Sequence, residues 1–162
     1  MDAIENRLNI LAESLDQKIA LLLQIHECND RQAKAFSMDG DEADLEAFDR
    51  EFEEKDKLIA EIDRLDDGFD ALYENLAQEL KDNKAKYAEQ IRLLQEKIAK
   101  VTESSVCIQA QEARNKKLVE DHFTKIRSGI KQNRQSSRAA YDYYRSMSGI
   151  AYSTSRIMDD KK

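Results

Sequence analysis

Two histidines and two cysteines are the residues of this chain best suited to metal or nucleophilic chemistry, and their spacing argues against both. His26 and His122 are isolated, each reading as a polar member of a helix seam. No carboxylate or thiol stands at a spacing that would build a triad or a metal site with either. Cys28 is close to His26 in sequence but falls on a different helical side, and Cys107 is far along the chain. Neither a C-x-x-C redox or zinc pattern nor a disulfide framework results. There is no glycine-rich phosphate loop. The 33 Asp and Glu read as solvated helix faces, with no apolar pocket to raise a carboxyl pKa for acid-base work. The expectation is a chain that is not an enzyme and holds no metal and no cofactor.

The chemistry left is that of surfaces. From Tyr87 to Ile130, apolar or small residues return every three or four positions through Ile91, Leu94, Ile98, Val101 and Ile108, one face of a long helix. The same register then meets Ser105, Glu112 and Asn115, so the apolar contact is interrupted and resumes at Leu118, Val119, Phe123, Ile126 and Ile130. The two halves of this helix are expected to meet different partners. Beyond Ile130 the chain holds four of its six tyrosines, Tyr141, Tyr143, Tyr144 and Tyr152, among Ser, Gln and Arg. Apolar residues there are too few for stable packing, which predicts a tail over 131–162 that is mobile when free. Ala139, Ala140, Tyr143, Tyr144 and Met147 can share a helical side and fold on binding.

Charge is divided along the chain. The net charge is -7, with 14 Lys or Arg against 28 Asp or Glu in residues 1–113 and 12 against 5 in residues 114–162. An attraction between the basic end and its own acidic body accounts for this without an external partner. Arg134, Arg138 and Arg145 interleaved with tyrosines also raise nucleic-acid binding as a rival. The acidic body would repel that polyanion, however, and no recognisable module is present, so no nucleic-acid partner is expected.

The elements that must position these residues are helices. Absence of Pro, only four Gly, 7% aromatic and 36% charged residues describe one elongated all-α domain, with buried positions in narrow seams. The longest purely apolar run, Ile19–Leu23, is far short of the roughly 20 residues that span a bilayer. With no targeting segment, the expected compartment is the reducing cytoplasm, without membrane insertion. Ile4, Leu8, Leu11, Leu15, Ile19, Leu22, Ile25 and Phe36 predict a first helix over about 2–36. Gly40 can end it, and Asp41 or Asp44 can cap the next. Leu45, Phe48, Phe52, Ile59, Ile62, Phe69, Tyr73, Leu76 and Leu80 predict a second over 44–80, with skipped turns filled by Lys55 and Asp66 and a surface pair Glu51–Lys55. A third follows over 85–133.

Whether the second and third helices are separate turns on residues 81–86, where no Gly or Pro enforces a break. A continuous helix from 44 to 133 would run for about 135 Å. A reversal is preferred because the seams of the first two helices need a third surface, giving an antiparallel bundle of three long helices over 1–130. The second helix would then be about 55 Å long and the third about 73 Å, so the third would overhang the bundle from near residue 121. Phe123, Ile126 and Ile130 would form an apolar stripe with nothing of their own to pack on, a partner surface, unless the first helix or the tail folds back over them.

The order of these pieces resembles the FlgN-type flagellar export chaperones. The likeness rests on a Leu-rich first helix, the break at Gly40-Asp41, the run from Phe52-Glu53-Glu54-Lys55 to Ile62, and Glu112-Ala113-Arg114-Asn115. It continues through Ala140-Tyr141 to the ending from Ser155-Arg156-Ile157 to Lys162, and so covers nearly the whole chain. The resemblance implies a cytoplasmic chaperone that binds the C-terminal helices of hook-filament junction proteins, keeps them from assembling early and hands them to the type III export apparatus. The FliT type, which serves the filament cap protein, is similar in architecture. On this reading Leu118, Val119, Phe123, Ile126, Ile130, Tyr141 and Tyr144 hold the client, and Arg134, Arg138 and Arg145 form an electrostatic rim. The chaperone would be a monomer or weak homodimer. The alternative from another class is a coiled-coil scaffold, a homodimer in which the 45–130 seam pairs with itself.

Overall fold

The computed structural model describes residues 2–36, 43–129 and 141–146. Three long helices account for most of them: α1 over Ala3–Ala35, α2 over Leu45–Lys81 and α3 over Ala88–Gly129. Residues 141–146 add a short helical segment, and no strand occurs among the described residues. The chain is an all-α antiparallel bundle.

Local chemistry sets the helix ends. Asp2 caps α1 by accepting from the Glu5 N–H at 2.8 Å, and Asp44 caps α2 by accepting from the Ala47 N–H at 3.0 Å. Position 41, the other cap candidate, lies outside the described residues, as does Gly40. The Asp44 N–H also donates to the Ala35 carbonyl at 2.9 Å, which ties the start of α2 to the end of α1.

The reversal between α2 and α3 occupies residues 82–87 and needs neither Gly nor Pro. The Asn83 side-chain amide donates to the Glu79 carbonyl at 3.0 Å, satisfying an acceptor that the end of α2 leaves open. The buried Tyr87 then pins the turn, its hydroxyl donating to Asp2 Oδ2 at 2.8 Å. Asp2 therefore both caps α1 and anchors the turn, and these hydrogen bonds hold its carboxyl below the usual range, the Glu5 N–H first and Tyr87 next.

The pairs across the helices fix the register. Arg7 with Glu79, Lys18 with Asp66, Arg31 with Glu51 and Phe36 with Phe48 run α1 and α2 antiparallel. Asp2 with Tyr87, Asp16 with Lys97, Asn29 with Gln111 and Phe36 with His122 run α1 and α3 parallel. Helix α1 packs along both others, whereas no Cα of α2 comes within 8 Å of a Cα of α3. The bundle is thus built on α1, and the cleft between the backbones of α2 and α3 is spanned by side chains, Lys55 to Glu112 and Phe48 with Phe123 among them.

Apolar side chains fall into two separate clusters. The larger includes Leu11, Leu22, Ile62, Leu76, Val101 and Ile108; the smaller holds Ala35, Phe48, Val119 and Phe123. Buried charges occupy the turns that the sequence skips. Lys18 Nζ donates to both carboxylate oxygens of Asp66, at 2.6 and 2.8 Å, inside the larger cluster's span. Lys55 Nζ donates to Asn29 Oδ1 and Glu112 Oε1, each at 2.7 Å. The surface pair expected between Glu51 and Lys55 is therefore replaced: Glu51 accepts from Arg31 Nε at 2.8 Å, and Lys55, 1% exposed, points inward.

Candidate protein-binding site

The end of the bundle where α1 stops, α2 starts and α3 finishes carries most of the residues that the sequence nominates. Val119 and Phe123 are there, but they are 0% and 2% exposed, so they do not form the free stripe expected of an overhang. The register explains the correction. The last turn of α1 lies beside His122 through Phe36, whose ring meets Phe48 edge-on at 5.2 Å and His122 at 5.5 Å. The lengths of α2 and α3 alone suggested a projecting end; α1 and the first turn of α2 close over it.

The remaining nominees divide. Leu118 and Ile126 are half-buried and, with Phe36 and His122, line a depression of about 910 Å³ whose rim includes Asp121 and Lys125. Tyr141 and Tyr144 are 64% and 41% exposed on the short 141–146 helix, and Arg145 is exposed beside them. Ile130, Arg134 and Arg138 lie outside the described residues, as does most of 131–162.

The part of the tail that is described is not free of the body. Tyr143 sits against Phe48 and Phe123, with ring centroids 6.4 and 6.5 Å away, and its hydroxyl donates to the Leu45 carbonyl at 3.4 Å. Burial first, and then the Asp49 and Glu46 carboxylates, push its phenol above the ordinary value. Residues 141–146 are helical, within the stretch from Ala139 to Met147 that the sequence marks as able to form a helix.

The α2–α3 cleft is a surface that sequence reasoning missed. Tyr73 stands one heptad from Asp66 and one from Leu80, both buried, yet is itself 50% exposed. Ile98 stands one heptad from the buried Ser105 and from the half-buried Ile91, yet is 37% exposed. Heptad spacing puts both on the inward stripes of their helices. The pairs of Lys18 with Asp66 and Asp16 with Lys97 set Ile98 near the level of Asp67, so Tyr73 lies about 9 Å nearer the turn between α2 and α3. Phe69 stacks on Tyr73 at 6.2 Å and is half-buried against the main cluster, which extends the apolar lining. The signal in the sequence was a seam too regular to question; only the separation of α2 from α3 shows that part of it stays uncovered.

The titratable side chains are placed for packing and pairing. His122 lies against the Phe36 and Phe123 rings, and His26 Nε2 is 3.6 Å from Asp30 Oδ2 at the surface. The buried Cys28 thiol is pushed up from 9.0 to about 11, by burial first and then by Glu51, which suppresses the thiolate. Cys107 is exposed, and neither thiol is in a disulfide. Among the described residues no group of three or more His, Cys, Asp or Glu could hold a metal ion, and no helix is long and apolar enough to cross a membrane. Compared with known proteins, the chain matches no family model, no curated protein and no solved structure.

Proposed function

We propose that this chain is a cytoplasmic flagellar export chaperone of the FlgN type, one that holds the C-terminal helices of hook-filament junction proteins and passes them to the type III export apparatus. The observation that carries the reading is the separation of the α2 and α3 backbones, along which Tyr73 and Ile98 hold inward-register positions and are 50% and 37% exposed. An amphipathic client helix laid there would complete a four-helix arrangement on the α1 scaffold, with apolar anchors at helical spacing entering the cleft. The acidic side chains of α2 beyond it, such as Asp70 and Glu74, suit a client helix with basic flanks. Tyr141, Tyr144 and Arg145 remain accessible on the tail for a second contact, for which the export apparatus is the natural candidate.

Calorimetry with a purified junction-protein C-terminal fragment tests this. The intact chain should bind one fragment per monomer, and Tyr73→Asp with Ile98→Asp should weaken binding at least tenfold, since apolar anchors in such contacts are worth about 1 kcal/mol or more each. Circular dichroism must show the variant to be as helical as the parent. Binding that ignores the double substitution would move the seat to the other end of the bundle. A preference for the filament cap protein would point to the FliT type. A tight elongated dimer in sedimentation, with no affinity for any such fragment, would favour the scaffold.

A further inference from the structure

The two apolar clusters are divided by a polar layer to which all three helices contribute. Asn29 and Gln32 come from α1, Lys55 from α2, and Gln111, Glu112 and Asn115 from α3, all 7% exposed or less. Lys55 donates to Asn29 and Glu112; Asn29 Nδ2 donates to Gln111 Oε1 at 3.2 Å, Asn115 Nδ2 to the Asn29 carbonyl at 3.0 Å, and Gln32 Nε2 to the Phe48 carbonyl at 3.2 Å. Three acceptors in the layer, Gln32 Oε1, Glu112 Oε2 and Asn115 Oδ1, have no hydrogen-bond partner among the described residues.

Such a layer couples its two sides poorly. Apolar contact running unbroken along a bundle makes the whole length open together, because parting it anywhere exposes surface everywhere. A layer of charges and amides gives little net free energy when formed and regains hydration when parted, most of all where its acceptors are unsatisfied in the closed state. The smaller cluster beyond it, Ala35, Phe48, Val119 and Phe123 with Tyr143 against it, is short, aromatic and built from three helix ends. Sub-global opening takes place where such a unit can part at lower free energy than the rest.

We propose that the bundle has two cooperative units with the boundary at the Lys55–Glu112 layer, and that the unit bearing Phe48 and Phe123 opens as a whole while the longer one stays folded. The opening unit comprises the last turn of α1, the first two turns of α2 and α3 from about residue 115 onward. It holds whatever partner the chain takes, since it rests on the division of the core and not on the cleft.

Native-state hydrogen exchange on the full chain, over a range of low denaturant, tests it. Amides in 31–35, 48–52 and 117–126 should share one opening equilibrium, at least tenfold more populated than that of amides in 11–25, 58–76 and 94–108. Phe123→Leu should increase that opening at least threefold in all three segments together and leave the longer unit unchanged. Lys55→Met with Glu112→Leu, which joins the two clusters through apolar side chains, should draw the two equilibria together. Protection that falls off residue by residue toward each helix end would mean ordinary fraying and overturn the proposal. So would a Phe123→Leu effect that is equal throughout the bundle, or a Phe123→Ala chain that unfolds entirely; a Phe123→Ala chain that loses protection only beyond the layer would support it.

Discussion

Removing the charge of Lys55 alone should be among the most damaging single changes to this chain. Its Nζ is 2.7 Å from Glu112 Oε1, and the two side chains are 1% and 4% exposed. Lys55→Met keeps the aliphatic bulk but leaves Glu112 buried without its cation and Asn29 Oδ1 without a donor. Breaking a buried pair from one side costs about 3 to 5 kcal/mol, because the remaining charge has lost its water and gained nothing. At roughly 2 to 4 °C per kcal/mol for a domain of this size, the melting temperature should fall by about 6 to 20 °C. Lys55→Met with Glu112→Leu should behave differently. Replacing the pair by apolar groups is worth about 0 to 4 kcal/mol in favour of the fold, against about 1 to 3 for the orphaned Asn29 oxygen, so the double variant should melt near the parent. Thermal unfolding followed by circular dichroism at pH 7 measures all four corners of the cycle. A loss under about 1 kcal/mol in Lys55→Met, or a double variant as damaged as the two single losses added together, would refute the view that this pair is a desolvated couple with its partners in mutual need.

The remaining predictions are smaller or simpler to read. Gly68 lies inside α2 with nothing within 4 Å of where a Cβ would sit, so Gly68→Ala should raise stability by about 0.5 to 1 kcal/mol in denaturant unfolding. Asp44→Ala removes the cap of α2 and should cost about 1 kcal/mol in the same assay, with helix content otherwise kept. At pH 8 a thiol reagent should label Cys107 rapidly and Cys28 only in denaturant, since one is exposed and the other buried and protonated. Because folding raises the Cys28 pKa to about 11, its contribution is complete below pH 9 and is lost as pH climbs through 11. The stability advantage of the parent over Cys28→Ala should therefore shrink by about 2 to 3 kcal/mol across that window, and a constant gap would show that the thiol does not titrate with folding.

How far the sequence discloses this molecule depends on how local each cause is. Helices α1 to α3 were legible because an apolar stripe and a capping residue act within a few positions, and Asp44, one of the two candidates for the start of α2, caps it. The turn at 82–87 was legible only as a preference, since its anchor is Tyr87 reaching back to Asp2 across 85 positions. Lys55 reads locally as a gap in a seam that a surface carboxylate could balance. Its partner is 57 positions away on α3, and nothing in either segment alone announces the pairing. The same holds for Glu112 and Asn115, whose interruption of the α3 stripe was visible while its cause, a layer shared by three helices, was not.

The cover over Val119 and Phe123 was missed for a related reason. Periodicity tells which side of a helix is apolar but not which partner covers it, and Val119 and Phe123 have the same pattern whether they meet a client or Phe48. What decides the matter is registry: Arg7–Glu79, Lys18–Asp66 and Phe36–Phe48 set α1 against α2 so that their junction closes over the end of α3. The same registry leaves α2 and α3 apart along the cleft, where Tyr73 and Ile98 have the inward pattern without the cover. Val119 and Phe123 are therefore covered and Tyr73 and Ile98 partly uncovered, the reverse of what their stripes alone suggest. Tyr73 and Ile98 thus join Tyr141, Tyr144 and the other exposed apolar side chains as candidates to meet another protein, because α2 and α3 can each pack on α1 without their backbones closing on one another.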